Sequence, residues 1–316
     1  MSAGLKRRKR KKRQRPTPKR PVGYGLDQLT IREDIEGFLL GEEGLYKNIP
    51  EGTYHAKHAC SSSSLKQLAR APAILRAYQM DKISFSGSHF DFGSAAHIKV
   101  LEPHLFSDEV VMAGQCSATT SKGKQCSRGG QDMIEGKWYC TQHAPSDKTP
   151  QDVISLSEKD YKNVLGVGRT VTHHAAAKEI LDMKGYRELT ALWYDPGTGM
   201  LCKARIDIFA SEGLGDLKTT RDASYRGFKR SYRKYDYYRQ AAFYLRAAAH
   251  FGFRAKWFKF IAVEKEPPYL MNVFKAGDES LERGGQEINN LLALWKRCQE
   301  KNNWPGYREK VIEMEL

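Results

Sequence analysis

Residues 200–220, MLCKARIDIFASEGLGDLKTT, constrain this chain more than any other stretch, because they set Asp207, Asp216 and Lys218 into two segments rich in apolar residues. Both halves are rich in apolar residues and the Ser-Glu-Gly break between them ends in glycine, which predicts two strands joined by a tight turn. Alternation along a strand sends Asp216 and Lys218 to one face. The hairpin brings Asp207 beside them. Two carboxylates and an ammonium on a shared face make a poor core and a good cradle for magnesium, which takes oxygen ligands and often bridges to a phosphate. The lysine is then placed to offset charge on phosphoryl oxygens. Taken alone, the same residues also fit an ordinary hairpin with a surface Asp–Lys ion pair.

The 316 residues suffice for one large domain or two small ones. Charge is concentrated at one end: of the net +15, eleven positive charges sit in residues 6–20, which leaves +4 for the rest. A run of that kind cannot collapse and is expected to be a disordered basic arm over residues 1–22. Its natural partner is a polyanion, through counterion release, although a nuclear localisation signal or an RNA-binding tail would look the same. No apolar run reaches the length of a membrane span and the N-terminus lacks a signal-peptide core, so a soluble protein of the cell interior is expected.

Residues 26–40 predict a short amphipathic helix. His55, His58 and Cys60 in YHAKHAC have the makings of a metal half-site, or of a plain loop. Residues 61–79, SSSSLKQLARAPAILRAYQ, read as a helix entered through serine caps, with Ser63 and Lys66 at the end that suits a phosphate. A second helix over residues 90–103 carries small residues Gly93 to Ala96 and then His97, a type more often packed or solvated than a ligand when it stands alone. Residues 116–143 hold the pattern C-x9-C-x13-C-x2-H. Cys140 and His143 have the spacing of two ligands on one tetrahedral ion, and Cys116 and Cys126 supply the others, so a closed structural zinc knuckle is expected over residues 114–146. A flexible insertion with free thiols is the alternative. Lys122, Lys124, Arg128 and Lys137 give the knuckle a basic surface for DNA or a partner.

Residues 156–184 predict helix, and residues 186–195 a strand alternating through Glu188, Thr190, Leu192 and Tyr194, so that three strands form a meander. One long helix is expected over residues 221–250. Its Arg226, Lys229, Arg230, Arg233, Lys234 and Arg239 are interleaved with tyrosines, as on a nucleic-acid face or on a solvated helix with a packing stripe. Gln240 and Tyr244 share a helix face. Two further strands and a closing amphipathic helix over residues 281–299 complete the chain.

The motifs SSSLKQLARAP, FGSAAHIKVLEP, CKARIDIF, GLGDLKTTRDAS, YRQAAFYLRAA and FIAVEKEPPY, in that order, resemble the PD-(D/E)XK nuclease superfamily, and within it the RecE-type (exodeoxyribonuclease VIII-like) exonucleases of phages and prophages. The resemblance runs from about residue 61 to 269 and leaves out the basic arm and the Cys/His insertion. It implies an α/β (α+β) restriction-endonuclease-like core, a central mixed sheet flanked by helices, in residues 23–113 and 147–316. It implies His97, Asp207, Asp216 and the Leu217 carbonyl as magnesium or manganese ligands for two ions, Lys218 as catalytic lysine, and Gln240 and Tyr244 as its orienting pair. Arg205, Arg226, Lys229, Arg230 and Arg233 join Ser63 and Lys66 as the expected DNA contacts. The implied activity is digestion of double-stranded DNA ends, 5′ to 3′, often by a ring-shaped oligomer that leaves 3′ strands for an annealing protein, in a bacterial cytoplasm. An internally cutting endonuclease and a non-catalytic recombination protein are the alternatives.

Overall fold

Apolar residues between positions 185 and 275 build one sheet, and the chain on either side supplies its cover. The computed structural model of the protein describes residues 25–80, 82–83 and 88–307; the expected basic arm and residues 308–316 lie outside them. A 3-10 turn (Leu26–Gln28) leads into strand β1 (Ile31–Arg32), helix α1 (Ile35–Leu40), strand β2 (Gly44–Tyr46) and helix α2 (Glu51–Ala56). The helix expected over residues 26–40 is therefore divided, since Ile31 and Arg32 are drawn into the sheet edge beside Leu45 and Tyr46.

Helix α3 (Ser62–Arg70) starts on Ser61, whose hydroxyl accepts from the Ser64 N–H while Ser61 N–H donates back to the Ser64 hydroxyl. The helix expected to run on to residue 79 breaks at Pro72: the proline ring disfavours helical geometry at Ala71, which is extended, and α4 (Pro72–Gln79) begins anew. Helices α5 (Ser88–Leu101) and α6 (Phe106–Glu109) follow, then strand β3 (Val110–Met112). In α5, Ala95 and Ala96 are fully buried, whereas a side chain at Gly93 would meet nothing within 4 Å. The cysteine-bearing segment contains one hairpin, β4 (Asp132–Ile134) and β5 (Lys137–Tyr139), and ends in β6 (Ile154–Leu156). Strand β6 lies parallel to β3 with Val110 opposite Ile154, so the segment leaves and rejoins the fold at one place.

Helices α7 (Glu158–His173) and α8 (Ala175–Asp182) precede the expected meander, β7 (Gly185–Tyr194), β8 (Leu201–Ala210) and β9 (Leu214–Thr220). The long helix expected over residues 221–250 is two helices, α9 (Tyr225–Lys234) and α10 (Tyr237–His250), because Asp236 turns left-handed at φ 57°. They carry the chain across to β10 (Phe258–Glu264), parallel to β9, before β11 (Met271–Lys275) and the closing helix α11 (Asp278–Lys301). The mixed sheet runs β1-β2-β7-β8-β9-β10-β11. One face packs Leu65, Phe243, Ile288 and Leu292 of α3, α10 and α11 on Trp193, Ile206, Phe209 and Phe260. The other packs Ala95, Val164, Val167 and Ile180 of α5, α7 and α8 on Ile208, Leu217, Ile261 and Val263. Each such side chain contributes about 1.5–3 kcal/mol by leaving water. No helix among the described residues is long and apolar enough to cross a membrane.

Pairing within the sheet is uneven. Strands β9 and β10 are matched along seven residue pairs, whereas β8 and β9 meet only at Ile208–Gly215 and Phe209–Leu214. Beyond those two pairs the meander forks. On the β8 side of the fork, the buried Lys203 donates to the carbonyls of Tyr54 (2.5 Å), His55 (3.2 Å) and Lys57 (2.7 Å), closing the C-terminal end of α2. Replacing Lys203 by Met leaves those carbonyls without their donor, so urea denaturation should record a loss of about 2–4 kcal/mol. An unchanged midpoint would show that α2 does not depend on this lysine.

Candidate active site at the strand fork

Where β8 leaves β9, the backbone of Leu217 faces an opening instead of a neighbouring strand. Side chains take over both of its polar groups. Leu217 N–H donates to Asp207 Oδ2 at 2.8 Å, and Leu217 C=O lies 2.8 Å from His97 Nε2. The other ring nitrogen, His97 Nδ1, lies 3.5 Å from Asp207 Oδ2 and 3.7 Å from Glu188 Oε1. His97 arrives from α5, Asp207 from β8 and Glu188 from β7, so three elements converge on one point. One ligand atom from each lies within 4.8 Å of the others.

Glu188 is the residue that sequence patterning missed. It was legible only as one step in a strand alternation, yet it falls with Asp207 at the step the β7–β8 register skips, between the pairs Arg187–Ile208 and Leu189–Ile206. Both strands break alternation here. Ile206 and Phe209 belong to the α10 side of the sheet, while Asp207 meets His97 and Ile208 packs with the α5 side. On β7, Glu188 adopts φ 49°, a conformation uncommon for a residue with a side chain and costly unless its surroundings enforce it. An acid within a strand segment, just before the mostly apolar run Leu189–Trp193, was the available signal.

Asp216 and Lys218 lie on the α10 side of β9. Lys218 Nζ sits 2.6 Å from Asp216 Oδ2, without the alignment of a directed hydrogen bond. Gln240 Nε2 donates to Asp216 Oδ1 at 2.7 Å and to the Tyr244 hydroxyl at 3.1 Å. Asp216 is thus engaged with Lys218 and Gln240 and stands outside the His97–Glu188–Asp207 group. Leu217 lies between the two groups, its backbone tied to one and its flanking side chains forming the other.

Electrostatics bind the two halves together. Burial, and then the nearby charge of Asp216, push the Asp207 carboxyl up to about 7. Burial opposes a charge on His97, but Asp207 and Glu188 outweigh it and raise the imidazole to about 9. Lys218 is held protonated, burial again being outweighed, chiefly by Asp216. Glu188 Oε1 is buried with no hydrogen-bond partner among the described residues, which costs free energy unless something cationic fills the gap. Carboxylates, an imidazole and a backbone carbonyl are a donor set for a divalent cation, so the residues fit one.

The expected DNA contacts separate into two groups. Ser63, Lys66, Lys218, Tyr235, Tyr237, Gln240 and Tyr244 line a single cleft of about 300 Å³. Arg226, Lys229, Arg230 and Arg233 are exposed along α9 beside it. Arg205, by contrast, is turned to the backbone, with NH2 2.6 Å from the Ile49 carbonyl and its guanidinium over the Tyr54 ring. Arg239 is buried against Asp236 (2.6 Å) and Glu287 (3.1 Å) and offers no free charge. His55 is exposed beside Glu51 and Cys60 is buried beside Cys202, so the YHAKHAC half-site is not assembled.

A second ligand cluster stands in the insertion. The sulfurs of Cys116, Cys126 and Cys140 and a nitrogen of His143 all lie within 4.8 Å of one another. His143 Nδ1 is 3.6 Å from Cys116 Sγ and 3.4 Å from Cys140 Sγ. Ligands about 2.0–2.3 Å from a tetrahedral zinc are spaced in this way, so the cluster is compatible with a closed zinc site.

Comparison with known proteins bears on the fold and the family. No curated protein matches the sequence. A solved structure from Eubacterium rectale, described as a “putative exonuclease”, is similar with a TM-score of 0.51 at 12% identity, over 85% of this chain and 96% of that one. At that identity the likeness speaks for the fold, a mixed sheet flanked by helices. Residues 61–314 match the family model described as a PDDEXK-like domain of unknown function (DUF3799), most of the described chain including the fork and both groups around Leu217, and the chain belongs to that PDDEXK-like family.

Proposed function

We propose that the protein is a divalent-metal-dependent deoxyribonuclease that hydrolyses phosphodiester bonds from double-stranded DNA ends, 5′ to 3′, and leaves 3′ single strands for recombination. One observation carries the reading: His97, Glu188 and Asp207, a group with the spacing to hold a cation, lie across one strand from a lysine held charged by Asp216. The family match and the fold support nuclease chemistry, and the RecE-like resemblance supports the choice of DNA ends, the polarity and an annealing partner or ring-shaped assembly.

His97, Glu188 and Asp207 would hold magnesium or manganese, as one ion or two, which would supply Lewis-acid charge for phosphodiester hydrolysis near neutral pH. Lys218 sets a fixed positive charge toward the cleft, where a non-bridging phosphoryl oxygen gains charge in the transition state. Gln240 and Tyr244 hold Asp216, and through it the lysine, in place. Ser63 and Lys66 at the cleft mouth and the basic face of α9 take up backbone phosphates. Zinc in the Cys3His cluster is a staple for a segment too polar to order itself.

Replacing Lys218 by Ala should lower turnover by about 10³-fold while DNA affinity changes little. Glu188→Gln should raise the metal concentration needed for half-maximal rate by about tenfold or more. Steady-state assays over a metal titration check both: unchanged turnover in Lys218→Ala, or an unshifted metal midpoint in Glu188→Gln, removes that residue from the mechanism.

Acid–base behaviour gives an independent check. His97 and Asp207 hold protons up to about 9 and about 7, and each must release its proton to ligate. Cation affinity should therefore rise with pH up to about 9 and then level off, with proton release seen by calorimetry in buffers of different ionisation enthalpy. His97→Asn should flatten the rise above pH 7. With a nitrogen in the donor set, manganese should bind more tightly than magnesium. PH-independent binding would show that these groups are not the ligands.

End-labelled linear duplex and closed circular duplex separate the modes of cutting. Release of the 5′ label from the linear form with the circle intact is the expected result. Nicking of the circle would make the protein an endonuclease of the same fold.

A further inference from the structure

The α9–α10 junction presents an aromatic ring that stays exposed. Of the four tyrosines between residues 232 and 238, three are committed. Tyr232 hydrogen-bonds Ser280, Tyr238 hydrogen-bonds Glu287, and Tyr237 packs on Phe228 and Phe260. Tyr235 is 39% exposed, and its hydroxyl has no hydrogen-bond partner among the described residues. Its ring lies 5.7 Å from that of Tyr237, with Lys66 Nζ at 4.8 Å and Lys234 Nζ at 5.4 Å from its centroid. It lines the same cleft as Lys218.

The backbone that holds it there is unusual. Asp236 takes φ 57° and ψ 37°, and its carbonyl accepts from the N–H groups of Arg239 and Gln240, so α10 begins immediately after it. Its carboxylate pairs with Arg239, itself locked to Glu287. A left-handed non-glycine residue persists only where its surroundings enforce it, and here they set Tyr235 at the mouth of a cleft whose floor is Lys218. A volume of about 300 Å³ is at the lower end of what takes a small-molecule-sized ligand and suits one nucleotide better than a base pair. Lysines on either side of an exposed ring are the arrangement that meets a nucleotide: the ring takes the base face and the ammonium groups take its phosphates.

Resting on the nuclease reading above, we infer that Tyr235 is the stacking platform for an unpaired nucleotide at the DNA end, so that the site takes a frayed or single-stranded terminus. Tyr235 is then a specificity-determining residue: it touches substrate but not the scissile phosphate. Lys66 and Lys234 swing from the ring to the flanking phosphates when a base arrives.

The test uses the full-length protein and a phosphorothioate-protected duplex carrying 2-aminopurine at its terminal position. Binding should quench the fluorophore; Tyr235→Ala should abolish the quench, and Tyr235→Trp should keep it. On hydrolysable linear DNA, Tyr235→Ala should raise KM by about 5- to 100-fold, more than it lowers kcat, as expected for one lost stacking contact. The penalty should shrink on blunt, GC-closed ends that rarely fray in any variant. A normal quench and KM in Tyr235→Ala would overturn the platform, as would a Trp variant no better than Ala. Thermal melting of each variant guards against misfolding. Because the quench needs no hydrolysis, a chain that binds and quenches without cutting would sink the nuclease reading while leaving the platform in place.

Discussion

Two strands that stop pairing after two residue pairs create the site. A buried backbone N–H or C=O left unpaired costs about 1–3 kcal/mol, so a fork inside a sheet does not persist unless something replaces the missing ladder. Asp207 and His97 replace it, one on the N–H and one on the C=O of Leu217. Side chains that face a candidate cation are therefore also the groups that hold the strands apart at a fixed width. Structure and chemistry share the same atoms here, which is why the fork and the ligands cannot be separated by mutation without disturbing both.

That arrangement concentrates charge where water is scarce. Glu188, Asp207 and Asp216 bring three carboxyl groups into the interior against two cationic partners, His97 and Lys218. Burial disfavours the charged carboxylate, the like charge of Asp216 adds to it, and the Asp207 carboxyl is driven upward as a result. A divalent cation held by His97, Glu188 and Asp207 would relieve the repulsion by taking the place of the protons on Asp207 and His97. Lys218 is different: Asp216 holds it charged and Gln240 fixes Asp216, so its ammonium does not depend on metal for its position.

How much of this was legible in the sequence follows from which physical rule governed each residue. Strand alternation correctly set Asp216 and Lys218 on one face, and helical spacing correctly put Gln240 and Tyr244 together. The Cys/His cluster was legible from ligand spacing alone. Glu188 was not, because its left-handed backbone breaks the alternation on which a strand reading depends. Basic residues after position 221 divided unpredictably for a similar reason. The turn at Asp236 resets the helical phase, so Arg226 and Arg230 face solvent from α9 while Arg239, on α10, is buried against Glu287. A single unbroken helix would have assigned them to faces that do not exist.

Strand β8 shows why composition misleads about such a protein. Lys203, Arg205 and Asp207 occupy alternate positions on one strand and would suit a solvated face. Instead Lys203 and Arg205 close over the Tyr54 ring and take the carbonyls of the segment around α2, and Asp207 takes the N–H of β9. Lys203 and Arg205 satisfy carbonyls at the two ends of α2, and Asp207 satisfies the strand backbone that the fork leaves bare. Charged side chains are tolerated in the interior only when hydrogen-bonded, and here the backbone needs them as much as they need it. A PDDEXK-like fold whose sheet opens at the fork therefore requires ionic residues inside, and of these three only Asp207 also belongs to the His97–Glu188–Asp207 group.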